Sequence, residues 1–104
     1  MKETVRIGVV GAGNIAVKHL EALQGVAGAN VVGIASRTRA KAEALAARFD
    51  IPCVADDIDG LLREARPDGL LILVSVSSIG AVARQAMQTG LPLFIEKPDR
   101  KAHV

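Results

Sequence analysis

Gly8-Val9-Val10-Gly11-Ala12-Gly13-Asn14-Ile15-Ala16 is the stretch around which the rest of the chain is organised. It closes a short apolar run, Val5 to Val10, of the kind that forms a strand. Beyond it the apolar positions change spacing, falling at Ile15, His19, Leu20 and Leu23, one face of a helix. The change of period is completed within Gly11-Ala12-Gly13, so strand must give way to helix through a tight turn. The pattern is Gly-x-Gly-x-x-Ala. Gly11 permits the turn, Gly13 lets backbone approach a pyrophosphate, and the small Ala16 lets the helix sit close to the strand. The first N–H groups of such a helix have no partners within it, and its dipole favours negative charge there. The stretch therefore predicts a phosphate cradle heading a βαβ unit.

The same alternation continues outward. Short apolar runs recur at Val31 to Ala35, Cys53 to Ala55, Leu70 to Val74 and Leu93 to Ile95. Leu70 to Val74 has no polar face, as a central parallel strand covered on both sides requires. Helical stripes lie between them: Ala42, Leu45, Ala46 and Phe49; Ile58, Leu61, Leu62 and Ala65; Ile79, Val82, Ala83, Ala86 and Met87. Thr38 and Asp57 are placed to cap the second and third helices, Ser77 or Ser78 to open the fourth, and Gly90 to close it before Pro92. Strand alternating with helix throughout predicts an α/β fold, a doubly wound open parallel sheet of Rossmann type. The expected strand order is 3-2-1-4-5, with helices on both faces.

Composition narrows the class. At 104 residues the chain supports one domain, spanning residues 1–104. Thirteen Lys+Arg against eleven Asp+Glu give a net charge of +2 spread along the chain, with no Trp or Tyr to stack on bases. A nucleic-acid partner is not expected despite a sequence pI near 9.0. No apolar stretch approaches the roughly 20 residues that span a bilayer, and Met1-Lys2-Glu3-Thr4 lacks the layout of a signal peptide. Cys53 is the single cysteine, expected to be a buried thiol in a reducing compartment. A soluble cytoplasmic protein without a metal site is the expectation.

The end of the second strand discriminates between dinucleotides. A site selective for NAD usually carries an acidic residue there to hold the ribose 2′-hydroxyl. This sequence has Ser36 and Arg37, with Lys41 one helical turn later. A hydroxyl, a guanidinium fork and an ammonium suit a 2′-phosphate, so NADP is expected over NAD. The absence of a carboxylate also disfavours a Rossmann methyltransferase, whose ribose is commonly held by one.

In an open α/β sheet the ligand lies over the carboxyl ends of the strands. Val74 ends the fourth apolar run and Ser75 to Ser78 follow it, while Glu96-Lys97-Pro98 follows the fifth. Lys97 leaves an apolar strand, where partial desolvation suits an amine to proton transfer or to hydrogen bonding a substrate oxygen. A cis bond before Pro98 would fix its aim.

Taken together, Gly11-x-Gly13-x-x-Ala16, Ala35-Ser36-Arg37 leading into Lys41-Ala42-x-Ala44-x-Ala46, and Gly90-x-Pro92-x-x-x-Glu96-Lys97-Pro98 resemble the N-terminal domain of the glucose–fructose oxidoreductase/inositol dehydrogenase/MocA family. The resemblance runs from Val5 to Pro98, and its specific part is the Glu-Lys-Pro element at this distance from the glycine turn. It implies that Gly11, Gly13, Asn14 and Ile15 line the pyrophosphate, Ser36 and Arg37 the adenosine ribose, and Glu96 and Lys97 the nicotinamide end. The lysine at the position of Lys97 assists proton transfer in the family, as hydride passes between the nicotinamide and a sugar or cyclitol carbon. His19 is read as packing.

Two departures stand out. Where the family often has Pro-Asn and then a histidine, this chain has Ser75, Val76 and Ile79. The family's second domain, which carries substrate contacts, catalytic partners and usually the oligomer interface, has no counterpart before Val104, and His103 is too near the terminus to be assigned a role. The expectation is a chain that binds a dinucleotide without turnover, its sugar-like substrate handled only in a longer parent. A stand-alone nucleotide sensor, a subunit completed by another chain, and a remnant without ligand are the alternatives. Leu93-Phe94-Ile95 is an apolar edge, expected to support self-association.

Overall fold

The computed structural model describes residues 4–73 and 76–95, with residues 76–79 as backbone. The elements run β1 (Val5–Val10), α1 (Asn14–Gln24), β2 (Ala29–Ala35), α2 (Arg39–Phe49), β3 (Val54–Ala55), α3 (Ile58–Ala65), β4 (Gly69–Ile72), α4 (Val76–Met87) and β5 (Leu93–Ile95). The strands form one sheet in the order β3-β2-β1-β4-β5. Every pairing is parallel. This is the doubly wound Rossmann arrangement that the alternating pattern predicts.

The alternation of side chains along each strand explains why both faces carry helices. Val9, Ile34 and Leu73 point to one side, where they pack with Ala16 and Leu20 of α1 and with Ala42, Leu45 and Ala46 of α2. Val10, Ala35 and Ile72 point to the other, against Ile58, Leu61 and Ala65 of α3 and Ala86 of α4. Burial reaches 0% exposure at Val9, Ile34, Leu70 and Ile72, so the central strands have no wet face. The chain winds from β1 through α1 to β2 and β3, then returns on the other side of β1 at β4. That reversal leaves a crevice above the carboxyl ends of β1 and β4.

Close seating of α3 depends on glycine in the sheet beneath it. A Cβ on Gly33 would lie 2.6 Å from Leu61 Cδ1 and 2.9 Å from the Ala65 Cβ, so α3 approaches β2 as closely as a bare backbone permits. Ala16 of α1 is fully buried and packs with Val9 and Ile34 of the sheet.

Local details differ from the expectations in a few places. Strand β2 begins at Ala29, two positions before its apolar run, because its early residues still pair with β1, Val5 opposite Ala29. Strand β3 omits Cys53, and β4 covers Gly69–Ile72. Helix α4 opens at Val76, one residue ahead of the serines expected to start it. Thr38 occupies the N-cap of α2, but its side chain makes no cap hydrogen bond; its N–H instead donates to Ser36 Oγ at 3.0 Å. Asp57 caps α3 as expected, accepting from the Gly60 N–H at 2.8 Å. Gly90 follows α4 with φ of +78°, a left-handed conformation suited to glycine. Cys53 is half-buried rather than buried, since it lies just outside β3 with its thiol turned toward Glu64, 3.7 Å from Oε1. Desolvation and then the Glu64 carboxylate raise its pKa above the ordinary 9.0.

Candidate functional site

Above the carboxyl ends of the strands lies a cleft of about 890 Å³. It is walled by the β1–α1 turn (Val10 to Ile15), the β2–α2 connection (Ala35 to Thr38, with Lys41), Asp56 and Asp57 before α3, Leu73 after β4, and Ala81, Val82 and Gln85 of α4. Most of these walls are loops leaving strand ends, so the sheet fixes their relative positions.

The β1–α1 turn is held from below. Gly11 N–H donates to the Ala35 carbonyl at 2.8 Å, and Leu73 N–H donates to the Val10 carbonyl at 2.7 Å. These bonds clamp the turn between β2 and β4. Gly11 has φ of +120°, which demands glycine. Gly13 is the N-cap of α1 with φ of −87°, open to any residue, and a Cβ placed on it would meet nothing within 4 Å. Neither backbone conformation nor internal packing calls for glycine there. The space it keeps open belongs to the cleft.

Helix α1 begins with no side-chain cap and no acidic residue in its first turn. Its leading N–H groups thus face the cleft without a first-turn carboxylate competing for them, and the dipole adds partial positive charge. The donor set and the clearance at Gly13 fit a diphosphate.

At the end of β2, Ser36 is half-buried and accepts the Thr38 N–H, which leaves its own hydroxyl hydrogen available to donate. Arg37 and Lys41 are exposed at the same wall. Arg39, which the sequence groups with them, is engaged elsewhere: its guanidinium reaches Glu43 Oε2 at 2.9 Å and Asp56 Oδ1 at 3.0 Å.

Gly11, Gly13, Asn14, Ile15, Ser36, Arg37 and Lys41 are therefore brought into one cleft. Val74, Ser75, Glu96 and Lys97, together with the Pro98 bond and His103, lie outside the described residues. His19 is half-buried on α1, its Nδ1 3.0 Å from the Ile15 carbonyl oxygen, in keeping with a packing role. Asp56, Asp57, Ala81, Val82 and Gln85 also line the cleft, and no motif in the sequence marks them as site residues. They come from the approach to α3 and from α4, neither of which has a glycine turn; only their register near strand ends carries a signal.

Comparison with known proteins agrees with this geometry. Residues 5–99 match the model of an oxidoreductase family with an NAD-binding Rossmann fold, Gfo/Idh/MocA. Inositol 2-dehydrogenase 1 of Saccharopolyspora erythraea is 35% identical over 98 residues, covering 91% of this chain and 29% of the relative. The chain thus spans less than a third of the curated relative's length. Among solved structures, apo scyllo-inositol dehydrogenase from Lactobacillus casei superposes with a TM-score of 0.83 at 22% identity, over 94% of this chain and 30% of the other, a likeness of fold. A mutant 3-ketoreductase from Actinomadura kijaniata, in complex with TDP-benzene and NADP, gives 0.78 at 25% identity over 88% of this chain and 29% of the other.

Proposed function

Since this chain belongs to the Gfo/Idh/MocA oxidoreductase family, as its NAD-binding Rossmann domain, we propose that it is the cofactor-binding unit of an inositol-dehydrogenase-like enzyme and prefers NADP to NAD. The observation that carries the preference is the position of Ser36, Arg37 and Lys41 in one cleft with the glycine turn, with no carboxylate directly after β2. A dinucleotide whose pyrophosphate rests on Gly11 to Ile15 places its adenosine ribose toward β2. There a hydroxyl donor, a guanidinium and an ammonium neutralise a 2′-phosphate, where a carboxylate would repel it. Solved structures of similar fold hold NADP in one case and NAD in another, so the preference rests on Ser36, Arg37 and Lys41 alone.

The nicotinamide, when bound, supplies the hydride acceptor or donor. This chain's residues bind and orient it: Val74 and Ser75 beyond β4 and Glu96 and Lys97 beyond β5 are proposed at its nicotinamide end. Lys97 Nζ is proposed as the atom that gives or takes the substrate's hydroxyl proton. A sugar, cyclitol or related hydroxyl or carbonyl substrate is proposed for the longer parent. The 104-residue chain alone is proposed to bind cofactor without turnover, because hydride transfer needs a substrate held roughly 3–3.5 Å from the reacting carbon. A cytoplasmic setting is proposed on the single unpaired cysteine.

Calorimetric titration with both cofactors tests the preference. Tighter binding of NADP is expected, with Arg37→Asp reversing the order; tighter binding of NAD by the unaltered chain overturns it.

A further inference from the structure

The cations at the start of α2 are not equivalent. Arg37 and Lys41 line the cleft, whereas Arg39 does not. Arg39 is the first residue of α2, at the positive end of the helix dipole, where a cation is disfavoured without compensation. Two carboxylates compensate it. Glu43, one turn along the same helix, accepts from Nε at 2.9 Å, and Asp56, from the β3–α3 connection, accepts from Nη1 at 3.0 Å. Asp56 lies in the cleft wall and Glu43 does not, so Asp56 is the group that fixes which way the outer end of the guanidinium points. The neighbouring Asp57 also lines the cleft, but its carboxylate accepts the Gly60 N–H at the cap of α3.

We propose that Asp56 is a specificity-determining residue that acts by position: holding Arg39 to the β3 side, it limits how strongly the site favours a 2′-phosphate over a 2′-hydroxyl. The inference rests on the reading of Ser36, Arg37 and Lys41 as the 2′ subsite. Without Asp56, Arg39 keeps its Nε bond to Glu43 while Nη1 loses its partner in the cleft wall. The wall then loses one negative charge and is bordered by a guanidinium end free to turn toward an added phosphate.

The pair is exposed, with 51% of the Arg39 side chain and 71% of the Asp56 side chain accessible, so Asp56→Asn removes charge without opening the core. Adenosine 2′,5′-bisphosphate and adenosine 5′-monophosphate probe the subsite by calorimetry, with no need for nicotinamide or substrate. The affinity ratio of bisphosphate to monophosphate is expected to rise about three- to fivefold in Asp56→Asn at low salt, a modest gain set by solvent screening. It should shrink at about 0.5 M salt. In an Arg39→Gln background the further change Asp56→Asn should raise the ratio clearly less than it does beside Arg39, because only the lost carboxylate charge is left to act. A ratio that stays level or falls in Asp56→Asn, or a rise undiminished in the Arg39→Gln background, overturns the role of Asp56. Arg37→Ala separates the two levels of the reading. A drop in its ratio, beside an unmoved Asp56→Asn, overturns the Asp56 role alone. A ratio unmoved in both overturns the 2′ subsite itself.

Discussion

Gly11 and Gly13 stand two positions apart and exclude side chains for different reasons. Gly11 sits at φ +120°, so Gly11→Ala forces a strained conformation costing about 1–3 kcal/mol. Gly13 is unstrained and its missing Cβ faces open cleft, so Gly13→Ala should cost at most about 1 kcal/mol, that of a poorer N-cap. It should nonetheless weaken dinucleotide binding tenfold or more, about 1.4 kcal/mol or above. Urea denaturation beside cofactor titration distinguishes the two; a Gly13→Ala chain that binds as well as the parent would falsify the pyrophosphate assignment. Cys53 makes a pH prediction. Its raised pKa keeps the thiol neutral in the folded chain at pH values where the unfolded thiol already ionises. The associated stability is fully present below the ordinary thiol value and is lost as pH climbs through the higher folded one. Alkylation of native Cys53 should accordingly be slower near pH 9 than that of the unfolded chain, and Glu64→Gln should speed it.

Helix α3 is the element most dependent on its neighbours. It has only eight residues, too short to hold on propensity, and it is fastened by a cap, a groove and a clamp. The cap is Asp57; its replacement by alanine should cost about 1 kcal/mol, and Asp57→Asn should recover most of it. The groove is Gly33, where an added methyl must displace the fully buried Leu61, costing about 1–3 kcal/mol by thermal or urea unfolding. The clamp is Arg6 of β1. Its guanidinium donates to the Ala65 and Arg66 carbonyls at the end of α3, and its N–H donates to Asp68 at 2.9 Å. Arg6 interrupts the first apolar run, Val5 to Val10. Its partners are 59 to 62 positions away in sequence, so only the β1–β4 pairing shows that it closes a helix. Asp57 is legible in the sequence because capping is local; Arg6 is not, because its bonds are long-range.

On the scale of the molecule, β5 forms one border of the described sheet. Phe94 is 65% exposed and Ile95 44%, an apolar edge of the kind that invites another chain. The 104-residue chain is expected to self-associate as concentration rises, seen by sedimentation, and Phe94→Lys should reduce it. A monomer that persists at high concentration would remove this edge as a contact. Among the described residues no helix is long and apolar enough to cross a membrane.

What the sequence by itself determined is the class of structure and the place of its cleft. Alternating periods of apolar residues specify parallel strands between helices, and the handedness of the crossovers leaves the switch point beside the Gly11–Gly13 turn. Both follow from rules that act over a few residues. What only the tertiary structure decided is how the charged residues near that cleft divide their work. Arg37, Arg39 and Lys41 look alike in sequence, but β3 beside β2 brings Asp56 onto Arg39 and leaves the other two facing the cleft. Charge pairing depends on distances between strand ends far apart in the chain, and those distances exist only once the sheet has formed.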